Sequence, residues 1–151
     1  MKIIEDDLSG DEIRHLLQTH FDLMRSQGPI ESCHVLPIED LKTPSIKFWS
    51  IWGDGALLGC GALKDLGGGH GEIKSMHVYQ NMRGKGISRK ILMHIISYAK
   101  QNGFEKLSLE TGSFDKFIPA RKLYESFGFE YCEPFGDYVK DPNSVFMTKA
   151  I

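Results

Sequence analysis

The stretch HGEIKSMHVYQNMRGKGIS, residues 70–88, constrains this chain more than any other. It reads as a buried strand from Gly71 to Val78, followed by a basic, glycine-spaced loop, Arg83-Gly84-Lys85-Gly86-Ile87-Ser88, that opens directly onto an amphipathic helix. A helix start leaves backbone N–H groups unpaired and carries partial positive charge, and glycines let an anion approach that backbone closely. Strand, loop and helix together therefore suggest a cradle for a phosphate-bearing ligand.

The bulk properties keep that suggestion local. At 151 residues the chain is the size of one domain, residues 1–151, with room for a sizeable core. A net charge of -2 gives no support to nucleic-acid binding, which needs a basic excess or a basic face. The start, MKIIEDDLSGDE, lacks the basic-then-apolar pattern of a signal peptide, and no later run approaches a membrane span, so the cytoplasm is the expected location and no membrane partner is expected. Cys33, Cys60 and Cys132 are odd in number and outside any CxxC pattern; they are read as reduced packing residues, with no metal site.

Along the chain, Lys2 to Glu5 is a first strand, and Ser9-Gly10-Asp11-Glu12 matches a capping box ahead of a helix carrying Ile13, Leu16, Leu17, Phe21 and Met24 at helical spacing. The segment from Ile30 to Thr43 has no clean period and reads as loop with a short helical patch around Ile38 to Leu41. IKFWSIW, the turn Gly53-Asp54-Gly55 and ALLGCGALKDL form a hairpin. Gly67-Gly68-Gly69 separates it from the central strand. Ile91, Leu92, Ile95, Ile96 and Ala99 mark the buried face of the next helix, KLSLE is a strand, and Phe117 to Phe127 is a helix with Pro119 in its first turn and Gly128 as its stop. Phe129 to Val139 and Ser144 to Lys149 read as the closing strands. This order gives a single α/β domain of the α+β kind, with helices covering a mostly antiparallel sheet.

Two nucleotide-binding patterns fail on spacing. GGGHGEIKS lacks the adjacent Gly-Lys of a P-loop, and in Gly84-Lys85-Gly86-Ile87-Ser88-Arg89 an arginine stands where a dinucleotide fingerprint needs its third glycine. On local sequence alone the loop is more readily a solvated basic turn before a helix. A second segment changes that. Arg83 to Ser88 resembles the Q/R-x-x-G-x-G/A pyrophosphate loop of the GNAT superfamily of acetyl-CoA-dependent acyltransferases. Ala120-Arg121-Lys122-Leu123-Tyr124-Glu125-Ser126-Phe127-Gly128-Phe129 is similar to that family's A-x-x-x-Y-x-x-x-G-F helix and exit. Ser88 replaces the last small residue of the loop, and Phe117 stands where many members carry asparagine. The C-terminal half further resembles a bacterial subgroup of small-molecule enzymes.

The resemblance implies a twisted sheet of six to seven strands, splayed at the central strand near Met76, His77 and Val78. Backbone groups there would pair with the pantetheine of acetyl-CoA. It implies that Arg83, Gly84, Lys85, Gly86, Ile87 and Ser88 hold the pyrophosphate, and that the Met76 N–H polarises the thioester carbonyl. It makes Glu72 the candidate general base, on the face of Met76 if no bulge intervenes, and Tyr124 the candidate general acid. Without the family, Glu72 is a structural carboxylate at a strand end and Tyr124 a core tyrosine. Glu110 is a rival base or an acceptor contact. Glu31 and His34 are tentative acceptor residues or members of a solvated loop, and Arg121 reads as a surface residue of its helix. His77 alternates away from Glu72 and reads as structural, and Phe48, Trp49 and Trp52 read as packing.

The expected activity is acetyl transfer from acetyl-CoA to a primary amine of a small molecule in a ternary complex. The rival readings are a non-catalytic acyl-CoA sensor and a protein acetyltransferase acting on lysine or an N-terminus. A homodimer is compatible with all three.

Overall fold

The computed structural model describes residues 1–26 and 36–151. Its strands are β1 (Lys2–Glu5), β2 (Ile46–Gly53), β3 (Ala56–Gly67), β4 (His70–Val78), β5 (Lys106–Gly112), β6 (Glu130–Cys132) and β7 (Ser144–Ala150). They form one seven-stranded sheet in the order β1-β2-β3-β4-β5-β7-β6. Every neighbouring pair is antiparallel except β4 with β5. Among the described residues three α-helices flank it: α1 (Asp11–Ser26), α2 (Ile87–Gln101) and α3 (Ile118–Ser126). The mixed α/β architecture expected from the order of patterns is the one observed.

The β2–β3 hairpin turns on Asp54 and Gly55, both with positive φ (51° and 77°), the backbone that a two-residue turn between right-twisting strands requires. The two sheet faces bury separate clusters. On one face, Ile13, Leu16 and Leu17 of α1 pack on Phe48, Leu57, Cys60 and Ala62. On the other, the α2 stripe Ile91, Leu92, Ile95 and Ala99 packs on Ile51, Leu63, Ile73 and Leu107, and α3 adds Tyr124. Trp49 and Phe48 are buried on opposite faces and Trp52 is partly buried, so the aromatic trio serves packing as expected.

Three local expectations are corrected. The Ser9 capping box does not form: Asp7 lies two residues away, and its Oδ1 takes the Ser9 hydroxyl at 2.6 Å. The first helical bond instead runs from the Arg14 N–H to the Gly10 carbonyl. The strand expected over 129–139 ends after Cys132, because Pro134 cannot donate to the ladder and Gly136 takes a positive φ of 57°. The segment 133–143 instead lies over the α1 face at the β5–β7 end, where Phe135 meets Phe146 edge to face and Tyr138 meets it at a tilt, with ring centroids 5.9 and 5.5 Å apart.

The third correction concerns β4. Between the pairs Ala62↔Lys74 and Cys60↔His77, one residue of β3, Gly61, opposes two of β4, Ser75 and Met76. This is a β-bulge, and Ser75 accommodates it with a φ of 54°. Alternation therefore changes phase within the strand. His77 returns to the face of Glu72 and Lys74, where its ring lies 3.1 Å (centroid to centroid) from that of His20 on α1. Met76 turns to the α2 face. The expectation that Glu72 and Met76 share a face, with His77 opposite, is reversed. Gly61 is needed on the other strand, since a Cβ there would meet Ile91, Met76 and Ile95 at 2.6–3.0 Å.

Candidate active site

The parallel pairing of β4 with β5 stops at Ile73↔Leu109. Beyond it β5 continues alongside β7 to Gly112 while β4 runs on beside β3 to Val78, so the two strands part between residues 74–78 and 110–112. This is the splay expected at the central strand. A parted sheet exposes backbone N–H and C=O groups along one strand edge, which an extended ligand can pair with as another strand would.

The glycine loop lies beyond the C-terminal end of β4. A 3-10 turn at Gln80–Met82 leads into it, and Gly84 and Gly86 take φ of 78° and 79°, a backbone region that side chains rarely adopt. Open space surrounds both α-carbons where a Cβ would project. Gly86 is the N-cap of α2, and no side chain caps the helix, so Ser88 does not serve as the cap that its hydroxyl would have allowed. The first-turn N–H groups, the open glycines and the flanking Arg83 and Lys85 together fit a pyrophosphate. Nearby, His20 and His77 are kept neutral. Burial pushes His20 down to about 4 and His77 well below its usual range, with the Arg83 charge adding to both. Nε2 of His77 is buried without a hydrogen-bond partner among the described residues.

Three candidate residues gather at the mouth of the splay. Glu72, 4% exposed, sits on β4 with Lys74 on the same face. Nζ of Lys74 lies 3.1 Å from Oε2 of Glu72. The Tyr138 hydroxyl, reaching over from the 133–143 segment, donates to that same oxygen at 2.5 Å and accepts from Nζ of Lys74 at 3.1 Å. Lys74 and Tyr138 were not singled out from sequence. Lys74 was within reach of strand alternation from Glu72, whereas nothing local marks Tyr138, 66 residues away.

Glu110 projects from β5 on that face, one residue beyond Leu109, which is buried on the other. Its carboxyl is pushed up to about 7, chiefly by burial and further by the charges of Glu72 and Asp141, against the opposing pull of the Ser144 hydroxyl and Lys74. Tyr124 comes from α3 on the opposite face and is buried against Phe129, their ring centroids 5.9 Å apart. Burial, with the Glu110 charge beside it, raises its phenol to about 12. Glu31 and His34 lie outside the described residues.

Arg121 is not a free surface residue. It donates to the carbonyls of Gly112 and Phe114 at 2.8 and 3.2 Å, tying α3 to the end of β5. Phe117 fills the space a Cβ at Gly112 would need, so the position read against the family's asparagine packs here against the β5 exit.

His70 and Ser108, 2.6 Å apart, resemble a base and nucleophile but are oriented the wrong way. The Thr148 hydroxyl donates to the Leu107 carbonyl, so it accepts from Ser108, and Ser108 in turn accepts from His70. The imidazole is a donor, and Ser108 is 1% exposed. The chain of bonds ends at a carbonyl and is structural. Among the described residues no cluster of three or more His, Cys, Asp or Glu is placed to hold a metal, and no helix is long and apolar enough to cross a membrane.

This geometry has counterparts among known proteins. The chain is 54% identical, over all 151 residues and the whole of the relative, to the Bacillus subtilis protein named as uncharacterized N-acetyltransferase YsnE. It is 40% identical over 124 residues to an Azospirillum brasilense IAA acetyltransferase, covering 82% of this chain and 80% of that one. A GNAT acetyltransferase from Elizabethkingia anophelis with acetyl-CoA bound shares the fold with a TM-score of 0.73 at 18% identity, over 99% of this chain and 97% of that one. The family model described as acetyltransferase (GNAT) family matches residues 11–129. With its splayed sheet and glycine loop, the chain belongs to the GNAT acetyltransferase family and is an acyltransferase.

Proposed function

We propose that the chain transfers an acetyl group from acetyl-CoA to the primary amine of a small molecule, both substrates being held together in the splay. The observation that carries this reading is Glu110. It is a desolvated carboxyl at the parting of β4 and β5, able to exchange a proton near neutral pH, with Tyr124 on the other side of the opening.

The pyrophosphate rests on the N–H groups from Gly84 to Ser88, with Arg83 and Lys85 adding charge. The pantetheine runs along the free edge of β4 at Met76, His77 and Val78, and the Met76 N–H is aimed at the thioester oxygen. The amine arrives from the α1 side, below the 133–143 segment. Its nitrogen forms a bond to the carbonyl carbon as the carbon–sulfur bond breaks. The proton lost from nitrogen goes to the Glu110 carboxylate, and the sulfur receives one from Tyr124, whose raised proton affinity keeps its phenol protonated over the working range. Of the two carboxylates considered as base, Glu110 fits better: Oε2 of Glu72 is engaged by both Lys74 and Tyr138.

The test is thiol release from acetyl-CoA across a panel of amines, amino acids, polyamines and lysine peptides, together with IAA, which the Azospirillum relative's name suggests. Turnover on small amines is the expected result. Turnover confined to peptides would move the assignment to protein acetylation. A thermal shift with acetyl-CoA but no turnover on any acceptor would leave an acyl-CoA sensor. At 100 times its Kd the cofactor adds ~2.7 kcal/mol to stability, so no shift at millimolar acetyl-CoA would remove the reading altogether.

A further inference from the structure

Among the described residues Glu72 is the most deeply buried carboxylate, and the reaction as written does not use it. Its side chain is 5% exposed and that of its partner Lys74 10%. Removing two such charges from water carries a desolvation penalty that their mutual attraction offsets only with good geometry and further hydrogen bonds. Here the further bonds come from one hydroxyl. Tyr138 accepts from Lys74 and donates to Glu72, closing a three-membered ring of contacts at 3.1, 3.1 and 2.5 Å.

The ring stands beside the proposed base. In the β4–β5 register Glu72 is level with Ser108. Two residues further on each strand, on the same face and at the point where pairing has just ended, come Lys74 and Glu110. Among the described residues, the groups that act on Glu110 or feel its charge are Lys74 and Glu72 from β4, Tyr124 from α3, Tyr138 and Asp141 from the 133–143 segment, and Ser144 at the start of β7. Lys74 is the only cation in that set, and its flexible stem would let the ammonium wander to solvent if nothing fixed it.

We infer that Glu72 and Tyr138 are positioning residues: they clamp the Lys74 ammonium at the mouth of the splay, where its charge biases Glu110 toward the carboxylate that accepts the amine proton. This rests on Glu110 being the base. It assigns Glu72, the residue marked from sequence as a base, a role exerted through Lys74. The clamp also fastens the 133–143 segment to β4, so the acceptor-side wall and the charge are set by one hydroxyl.

The test reads Glu110 directly, by carboxyl-carbon NMR titration of the whole protein without acetyl-CoA, and then by the pH dependence of kcat/KM. Lys74→Met raises the Glu110 midpoint by about one unit. Lys74→Arg leaves it near the wild-type value. Glu72→Gln keeps an amide oxygen to hold the ammonium while removing a like charge, and so lowers the midpoint, opposite in sign to Lys74→Met. Glu72→Gln/Lys74→Met leaves no buried charge unpaired and so serves if either single variant fails to fold; it raises the midpoint by less than Lys74→Met, since the lysine is the stronger of the two influences. Tyr138→Phe breaks one arm of the clamp without changing any charge, so it raises the midpoint part of the way toward the Lys74→Met value and raises the acceptor KM, while affinity for CoA is kept.

Midpoints unmoved in the single and the double variants would overturn the inference, as would a Glu72→Gln enzyme dead at every pH beside an active Glu110→Gln enzyme. NMR midpoints that move as stated while the rate profile stays fixed would retain the clamp as the source of the charge and refute Glu110 as the base. The two failures are thereby distinguished.

Discussion

Glu110→Gln should make the protein more stable and less active, and the gain in stability should depend on pH. The carboxyl is raised from 4.5 to about 7 in the folded chain. Between those values the native state holds a proton that the unfolded state has lost, so stability falls as pH rises through this window and then levels off above about 7. At 1.36 kcal/mol per unit, the difference is worth about 3 kcal/mol at pH 8. Glutamine has nearly the same shape and no charge to desolvate, so the variant escapes that penalty. For a domain of this size the gain corresponds to a Tm roughly 6–12 °C above wild type. Near pH 4 both side chains are neutral and the two melting curves should coincide. Thermal melts from pH 4 to 9, followed by circular dichroism, measure this, and thiol release on the best acceptor should fall by roughly 10²–10⁴ at the same time. A Tm difference that is the same at pH 4 and pH 8 would refute the claim that Glu110 is desolvated in the splay. Full activity in the variant would refute its use as the base.

Other expectations follow from the same geometry. Tyr124→Phe should lower kcat while leaving affinity for CoA, measured by calorimetry, unchanged, because its hydroxyl acts only as sulfur leaves. Gly86→Ala forces a Cβ onto a φ of 79° without any steric clash; strain of about 1–2 kcal/mol should appear as loss of both stability and CoA affinity, and unchanged affinity would show that the loop backbone is not the anion site. Gly61→Ala should destabilise by about 1–3 kcal/mol in urea titration, since the added carbon meets Ile91, Met76 and Ile95.

How far the sequence could be read depended on the distance over which each signal acts. The α1 and α2 stripes, the Asp54-Gly55 turn and the paired segments at 83–88 and 120–129 are local patterns, and they located the hairpin, the loop and the helices. The phase change at Ser75 is not local. It exists because Gly61 on the neighbouring strand leaves room for α2 and lets two residues face one, so it belongs to the pairing and not to either strand alone. The occupation of Glu72 by Tyr138 is of the same kind. A carboxylate and a tyrosine 66 residues apart, with a loop that ends a strand early, leave no mark within any window of sequence. The Ser9 box failed for the opposite reason, since an even more local partner, Asp7, was available.

The bulge at Ser75 also makes β4 a strand of two parities. Upstream, even-numbered residues face α1; downstream, odd-numbered ones do. Pairing these same residues without the bulge would act like a half-turn of everything after it. His77 would be carried under α2 against Ile91 and Ile95, Met76 would be set on the face of His20, and the edge groups offered to the acyl donor would come from residues one earlier in the chain. A chain paired that way would keep each motif letter for letter and lose the site that the motifs describe.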